Sequence, residues 1–397
     1  MRIGRWLRLA VAAAPLAVAG CGNFWQAPST STSGCTGSSC STTTDNFYVL
    51  NQGTQKIAEY TLSSGTVTAI SGSPIALGAA PVAMTVDPSG SYLYIATVSG
   101  IYLYDINSTT GALTVGFNGQ PIEASVLATT MQVDPSGSWL VWSNSAESSI
   151  GAIPLDTSTG EPTGGNIATA NLPGAANQLV VSPDNGYVFV AMGTAGTEII
   201  PFTLSNSNPF DTNITNIKVK NTGGQAISVA VDGDTRVFYV GETLGNSSAN
   251  SGGIRVFNYS SLTASNGLVE NDYASGGLKP TAILPAGTTN YVYVANWATG
   301  GNSAGNIAAF TVETSTGSSG AYTLTAGTSI ATGINPVALA VDSSDAYVLA
   351  VNMGGNPNKG GNPDLEGYTI GSTGALTSAF SQATGTDPVT AAAIAVQ

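Results

Sequence analysis

Acid–base chemistry in this chain has to be carried by carboxylates, because none of its 397 residues is histidine. Histidine is the commonest general base, so its absence excludes a Ser-His-Asp triad and any metal site that depends on imidazole. Beyond residue 20 the arginines are Arg236, in a predicted turn, and Arg255, on a predicted strand, and they form no cationic cluster. The sequence therefore assigns no catalytic residue, no metal ligand and no cofactor.

Polar side chains recur at one position of a repeated pattern, directly after its second apolar run. Asn51, Asn144, Asn296 and Asn352 occupy this position, and Glu242 stands at the same place in another copy. Amide groups gathered in this way favour hydrogen bonding to a polar ligand. In the alternative interpretation each asparagine caps its own loop, because asparagine bonds the backbone that follows it and tolerates tight turns.

Three long segments follow the same position in consecutive copies, at residues 243–253, 297–306 and 353–365. They combine Gly, Asn and Ser with the stacking surface of Trp297, a mixture that suits a carbohydrate or a peptide. Length variation in unconstrained loops explains the same observation, so both interpretations stay open. The candidate ligand-binding residues are Asn51, Asn144, Glu242, Asn296, Trp297, Asn352, Asn356 and Asp364.

The elements that must position these residues are predicted by an internal repeat. PVAMTVDPSGSYLYIAT contains two runs of alternating apolar residues around Asp-Pro-Ser-Gly, in which Pro presets φ and Gly tolerates positive φ, so a β-hairpin is expected. A second, weaker strand pair follows, as in IYLYDIN and ALTVGF. Each repeat of about 50 residues thus supplies four antiparallel strands, as in a propeller blade. The hairpins lie at 81–97, 129–144, 177–192, 226–242, 280–296 and 336–352.

The two ends of the repeat region complement each other. Residues 47–51 and 56–62 match the second and third strands of a blade, with no first strand ahead of them. Residues 387–396 match the first strand of the repeat. We therefore expect an all-β, seven-bladed β-propeller over residues 45–397, closed by pairing of the C-terminal strand with the N-terminal blade.

The hairpin ends resemble a known repeat. YVYVAN at 291–296, YVLAVN at 347–352 and FYVLN at 47–51 look like the YVTN repeat, and the VDPSG turns agree. Together they are similar to the YVTN-repeat and phosphogluconolactonase-like (lactonase) seven-bladed propellers. This resemblance implies the fold. Some members hydrolyse or form sugar or muconate lactones, whereas many others are surface or periplasmic proteins.

The N-terminal residues predict export. Residues 1–20 carry three arginines before a short apolar stretch, as in a signal peptide, and Val18-Ala19-Gly20-Cys21 resembles the bacterial lipobox. We expect lipidation of Cys21 and a Ser/Thr-rich tether over residues 21–44. Within it, Cys35 and Cys40 either form a local disulfide or remain thiols.

Removal of the signal leaves seven basic and 23 acidic residues, a formal charge of −16. Nucleic acid binding needs a basic stripe that replaces phosphate counterions, and the sequence has no such stripe. The leading hypothesis is a monomeric, non-catalytic binding or scaffolding module on the periplasmic face of the outer membrane or on the cell surface. It is bound to the membrane through Cys21, with a carbohydrate, peptide or protein partner. The alternative is a lactonase-like hydrolase of a sugar-derived lactone.

Overall fold

The computed structural model describes residues 44–124, 126–164, 167–205, 207–233, 236–245, 251–259, 262, 269–286, 290–299, 304–314, 322–354, 364–384 and 394–397. These residues form β-strands and a single three-residue 3-10 helix, Phe117–Gly119. Within them, no helix has the length and apolar character needed to cross a lipid bilayer. The predicted signal, Cys21, Cys35 and Cys40 lie outside the described residues.

The first sheet joins the two ends of the repeat region. Its strand order is β28-β1-β2-β3, and β4 pairs with a second stretch of β2. Phe47 lies opposite Val396 and Val49 opposite Ile394, so the predicted pairing of the C-terminal strand with the N-terminal blade is found. The strands are β1 Thr44–Asn51, β2 Lys56–Ser63, β3 Thr66–Ala69, β4 Ile75–Ala76 and β28 Ile394–Val396.

Four further sheets each contain four antiparallel strands in which the first strand of the repeat is at one edge. These are β5 Pro81–Val86, β6 Tyr92–Thr97, β7 Gly100–Ile106 and β8 Leu113–Val115; β9 Thr130–Val133, β10 Trp139–Asn144, β11 Ser149–Pro154 and β12 Ala168–Asn171; β13 Gln178–Val181, β14 Tyr187–Ala191, β15 Thr197–Pro201 and β16 Thr215–Ile217; and β17 Ala226–Val231, β18 Val237–Glu242, β19 Gly253–Asn258 and β20 Val269–Ala274.

The remaining strands form one seven-stranded sheet, because the 20-residue strand β24 continues from one repeat into the next. It pairs with β23 up to Ile334 and with β25 from Ile334 onwards. Hydrogen bonding thus gives six sheets, and the predicted count of seven blades stays a prediction. The strands are β21 Leu278–Ala286, β22 Tyr291–Ala298, β23 Ala304–Thr314, β24 Tyr322–Val341, β25 Tyr347–Gly354, β26 Leu365–Ile370 and β27 Leu376–Gln382.

The aspartate before the proline stabilises each Asp-Pro-Ser-Gly hairpin turn, a role that was not assigned from the sequence, and the glycine has the predicted positive φ. The Asp87 carboxylate accepts hydrogen bonds from the backbone N–H groups of Ser89 and Tyr92, at 2.9 and 2.7 Å. Gly90 has φ +69°, a left-handed conformation that glycine adopts without strain. These bonds satisfy the turn backbone locally and set the register of the strands on either side.

Neighbouring sheets are joined by buried tyrosines of the second strands. The hydroxyl of Tyr48 donates to the carbonyl of Gly111, and that of Tyr94 donates to the carbonyl of Gly160, each at 2.7 Å. Both glycines lie in the turn between the third and fourth strands of the next sheet. The tyrosine of the repeat therefore belongs to the interface between sheets.

The first strand of each repeat lies at one edge of its sheet, and side-chain hydrogen bonds connect such strands of successive sheets. Gln132 Oε1 accepts from the backbone N–H of Val181 at 2.8 Å, and Ser228 Oγ donates to the carbonyl of Pro280 at 2.7 Å. These strands are therefore the innermost ones, and consecutive sheets follow one another around a closed ring. The fold is an all-β propeller of antiparallel sheets.

Candidate functional site

All candidate residues within the described part of the chain lie on one side of the ring. There the second strand of each sheet ends and the innermost strand begins, and we call this side the upper face. The Asp-Pro-Ser-Gly turns lie on the opposite, lower face. Asn356 falls in 355–363, outside the described residues.

Asn51 and Asp364 belong to one buried hydrogen-bond network, although 313 positions separate them in the chain. The backbone N–H and the hydroxyl of Thr384 donate to the two oxygens of Asp364, at 2.7 and 2.9 Å. The amide of Asn51 donates to the carbonyl of Thr384 at 3.1 Å. We call Asn51, Asp364 and Thr384 the seam cluster, because it connects the first sheet to the segment after β27.

Asn352 extends this network into the last repeat. Its backbone N–H donates to the carbonyl of Asp364 at 2.8 Å, and its side-chain Oδ1 lies 3.0 Å from the hydroxyl of Thr332. The same hydroxyl lies 3.1 Å from Oε2 of Glu366, which also accepts a hydrogen bond from the Tyr368 hydroxyl. Burial raises the pKa of the Asp364 carboxyl and of the Tyr368 hydroxyl, and the charge of Glu366 raises the latter further.

The other two asparagines are bound to the backbone in different ways. Asn144 Oδ1 accepts from the N–H groups of Ala146 and Glu147, at 3.1 and 3.3 Å, and so caps its own loop. Asn296 donates to the carbonyl of Ser275 at 2.8 Å and accepts from the Ser275 hydroxyl at 2.7 Å. Asn296 thus connects its sheet to the neighbouring one.

Glu242 forms part of an ionic group on strands β18, β19 and β20 of one sheet. It is 1% exposed, and its Oε1 lies 2.7 Å from Nη1 of Arg255, which is 5% exposed. Nη2 of Arg255 contacts Glu270 at 2.9 Å, and Nζ of Lys220 also contacts Glu270 at 2.9 Å. Burial opposes ionisation of Glu270, but the hydrogen bonds from Arg255 and Lys220 outweigh it and lower the pKa of this carboxyl.

Trp297 lies on a strand, whereas the sequence places it in a loop. β22 extends to Ala298 and pairs with Leu278 of β21 there, so Trp297 belongs to the sheet and its backbone is held. The indole is half-buried against the apolar cluster around Val337, and Nζ of Lys279 lies 4.2 Å from its ring centroid. The upper face therefore presents an aromatic ring with a cation on it.

Arg255, Glu366 and Glu198 share one structural position that was not recognised from the sequence. Each lies on a third strand, opposite Val240, Ala350 and Val190 respectively. The sequence signal for this position is a single charged residue within an otherwise uncharged strand, as in LEGYTI. Lys279 left only a weak signal, the Lys-Pro pair that opens an inner strand.

The described residues suggest no preformed centre for a metal ion. Among them no three Asp, Glu, Cys or His side chains come together in a way that would hold an ion. The carboxylates of Glu242, Asp364 and Glu366 are buried and hydrogen-bonded to protein groups. Arg255 is likewise occupied by two carboxylates.

Comparison with known proteins gives the fold and no closer relationship. No protein-family model matches the sequence, and no curated protein matches it. Among solved structures, a candidate 6-phosphogluconolactonase of Bacteroides fragilis is 15% identical, covers 91% of this chain and 99% of its own, and has a TM-score of 0.67. The periplasmic gluconolactonase of Pseudomonas aeruginosa is 16% identical, covers 87% of this chain and 98% of its own, and has a TM-score of 0.65.

A candidate 6-phosphogluconolactonase of Bacteroides uniformis is similar to a comparable extent, with 14% identity, coverage of 89% and 99%, and a TM-score of 0.66. Identities this low carry the fold but not the activity. The chain therefore has the fold of the lactonase-like β-propellers.

Proposed function

We propose that this chain is a non-catalytic binding module, held outside the cytoplasm by a lipid on Cys21. The observation that carries the proposal is the half-buried Trp297 on the upper face, where the buried carboxylates of Glu242 and Asp364 are bound by protein groups. A half-buried aromatic ring whose backbone is fixed in a strand can stack on a ligand at little entropic cost. The proposal places the protein in the cell envelope, as a monomer whose upper face meets a carbohydrate, peptide or protein partner.

The chemistry of the upper face supports binding more than catalysis. A general base has to reach the substrate and take up a proton near the operating pH. Glu242 is 1% exposed and paired with Arg255, and Asp364 is 3% exposed and accepts two hydrogen bonds from Thr384. Either carboxylate would have to break these contacts before it could act on a substrate.

The proposal is tested by ligand screening with a matched pair of variants. Trp297→Ala should weaken binding of any saccharide or peptide identified for the chain by at least about 10-fold, because aromatic anchors dominate such sites. Val98→Ala is the control, since Val98 occupies the corresponding place after Thr97 and is 61% exposed. Calorimetric titration of both variants decides the matter. Unchanged affinity in Trp297→Ala would contradict the proposal.

A lactonase-like activity is the second candidate, favoured by the similarity in fold to a periplasmic gluconolactonase. The purified chain would then hydrolyse gluconolactone or its 6-phosphate, and Glu242→Gln or Asp364→Asn would abolish turnover while the protein stays folded. Turnover that a single carboxylate substitution removes would replace the binding module by an enzyme. Absence of turnover across a lactone panel would favour the binding module.

A further inference from the structure

Lys279 differs from the other cations that contact partners in the described part of the chain. Lys220, Arg236 and Arg255 each lie within 2.9 Å of a carboxylate oxygen. Lys279 forms no ion pair with any described carboxylate, is exposed, and places its ammonium group on the indole of Trp297. In a chain of formal charge −13, this ammonium group remains available to an anion.

The backbone holds Lys279 in place. Its φ is +52°, in the left-handed region that disfavours residues with a Cβ, and it directly precedes Pro280, after which a bulge shifts the pairing of β21 with β22. Asn335 has the same φ of +52° and directly precedes Pro336, after which an equivalent bulge occurs in β24. The Thr281 hydroxyl donates to the carbonyl of Pro336 at 2.6 Å, which brings the two bulges next to each other.

These contacts place the ammonium group of Lys279, the indole of Trp297 and the half-buried residue Asn335 within one region of the upper face. An indole packs well against the C–H face of a sugar ring, an ammonium group binds a carboxylate, and an amide bonds hydroxyl groups. Neutral sugars would use the indole and the amide but gain nothing from the ammonium group.

Building on the proposed binding function, we infer that the ligand is an acidic saccharide, a polymer of uronic acids, and that Trp297, Lys279 and Asn335 form its binding platform. The carboxylate of one sugar draws Nζ of Lys279 from the indole face, the indole then stacks on the ring of this sugar, and the Asn335 amide bonds its hydroxyls. The net negative charge of the protein repels such a polymer at long range, so selectivity for it depends on the local ammonium group.

The test uses the full chain purified in detergent and two probes of equal length, oligogalacturonate and its neutral methyl ester. Wild type should bind the acid about 10-fold more tightly than the ester, as expected for a charge-assisted contact. Lys279→Gln should remove this preference, because the acid loses more affinity than the ester, and Trp297→Ala should weaken binding of both. Lys56→Gln is the control, because it removes an exposed positive charge of the same face at the start of β2 and should keep the preference.

The outcomes separate this inference from the function on which it rests. Equal binding of acid and ester, lost in Trp297→Ala, would overturn the choice of an acidic saccharide and leave the binding module intact. A preference for the acid that persists in Lys279→Gln would overturn the role of Lys279. Binding of neither probe would also overturn the inference, whereas the binding module fails only if a wider panel of saccharides and peptides shows no dependence on Trp297.

Discussion

Replacement of Asp45 by asparagine should stabilise the protein at neutral pH. Asp45 lies on β1 and is 5% exposed, and its carboxylate accepts hydrogen bonds from the hydroxyl and the backbone N–H of Ser343. Burial raises the pKa of this carboxyl to about 6 from 3.8, against the hydrogen bonds from Ser343, and the charge of Asp342 raises it further. Asparagine keeps an acceptor oxygen for Ser343 and carries no charge.

The expected size of the effect follows from the pKa shift. A change in the pKa of Asp45 from 3.8 to about 6 means that folding disfavours the ionised carboxylate by about 3 kcal/mol. The pKa of Asp45 is higher in the folded state than in the unfolded state. The contribution of the protonated carboxyl to stability is therefore fully present below pH 3.8 and is lost as the pH rises through about 6. Asp45→Asn should therefore gain up to about 3 kcal/mol at pH 7.5, and this gain should shrink by about 1.4 kcal/mol at pH 5.

Urea unfolding at pH 5 and pH 7.5 measures both values. Asp156→Asn is the matched control, since it removes one negative charge from an exposed turn where a hydrogen bond from Ser158 lowers the pKa of the carboxyl. The unfolding free energy of Asp156→Asn should not exceed that of wild type at either pH. Equal unfolding free energies of Asp45→Asn and wild type at pH 7.5, or a gain that is independent of pH, would refute the reasoning.

Three further changes test other parts of the fold. Glu198→Gln should raise the unfolding free energy at pH 7.5 more than at pH 5, because burial raises the pKa of this carboxyl, which is 6% exposed. A lower unfolding free energy at pH 7.5, measured by urea unfolding, would contradict this prediction. Tyr94→Phe should lower the unfolding free energy by about 1 kcal/mol, because it removes the hydrogen bond to the carbonyl of Gly160. Tyr239→Phe should lower it less, because the buried Tyr239 hydroxyl has no hydrogen-bond partner among the described residues, and equal losses would show that the Tyr94 hydrogen bond contributes nothing. Deletion of residues 386–397 should abolish cooperative unfolding in calorimetry, since it removes the strand that closes the ring, and a sharp transition near the parent temperature would count against closure.

The strands and their turns were predictable because their signals are local. Period-two alternation determines which residues of a strand face a neighbouring sheet, and the Asp-Pro-Ser-Gly turn satisfies its own backbone. Residues 47–51 and 56–62 accordingly fall within β1 and β2, and 101–107 and 112–117 correspond to β7 and β8. The extension of β22 through Trp297 was missed, because the Gly-rich sequence after it resembles a loop and pairing with β21 decides where the strand ends.

The candidate site was predicted only in part. The sequence pointed to Asn51 and Asn352 through their positions at strand ends, and to Asp364 separately as part of a long loop. Their connection through Thr384 depends on how the ring closes, and no spacing in the chain records it. Whether these side chains bind a ligand stays a prediction.

The amino-acid sequence by itself determined the elements of this protein: the repeated hairpins, the complementary first and last strands and the lack of imidazole chemistry. These properties depend on composition and on contacts between residues a few positions apart. The tertiary structure alone decided that Arg255 is enclosed by Glu242 and Glu270 while Lys279 rests on Trp297. A side chain's availability depends on which neighbours the packing of separate strands brings to it, and residue type does not specify those neighbours.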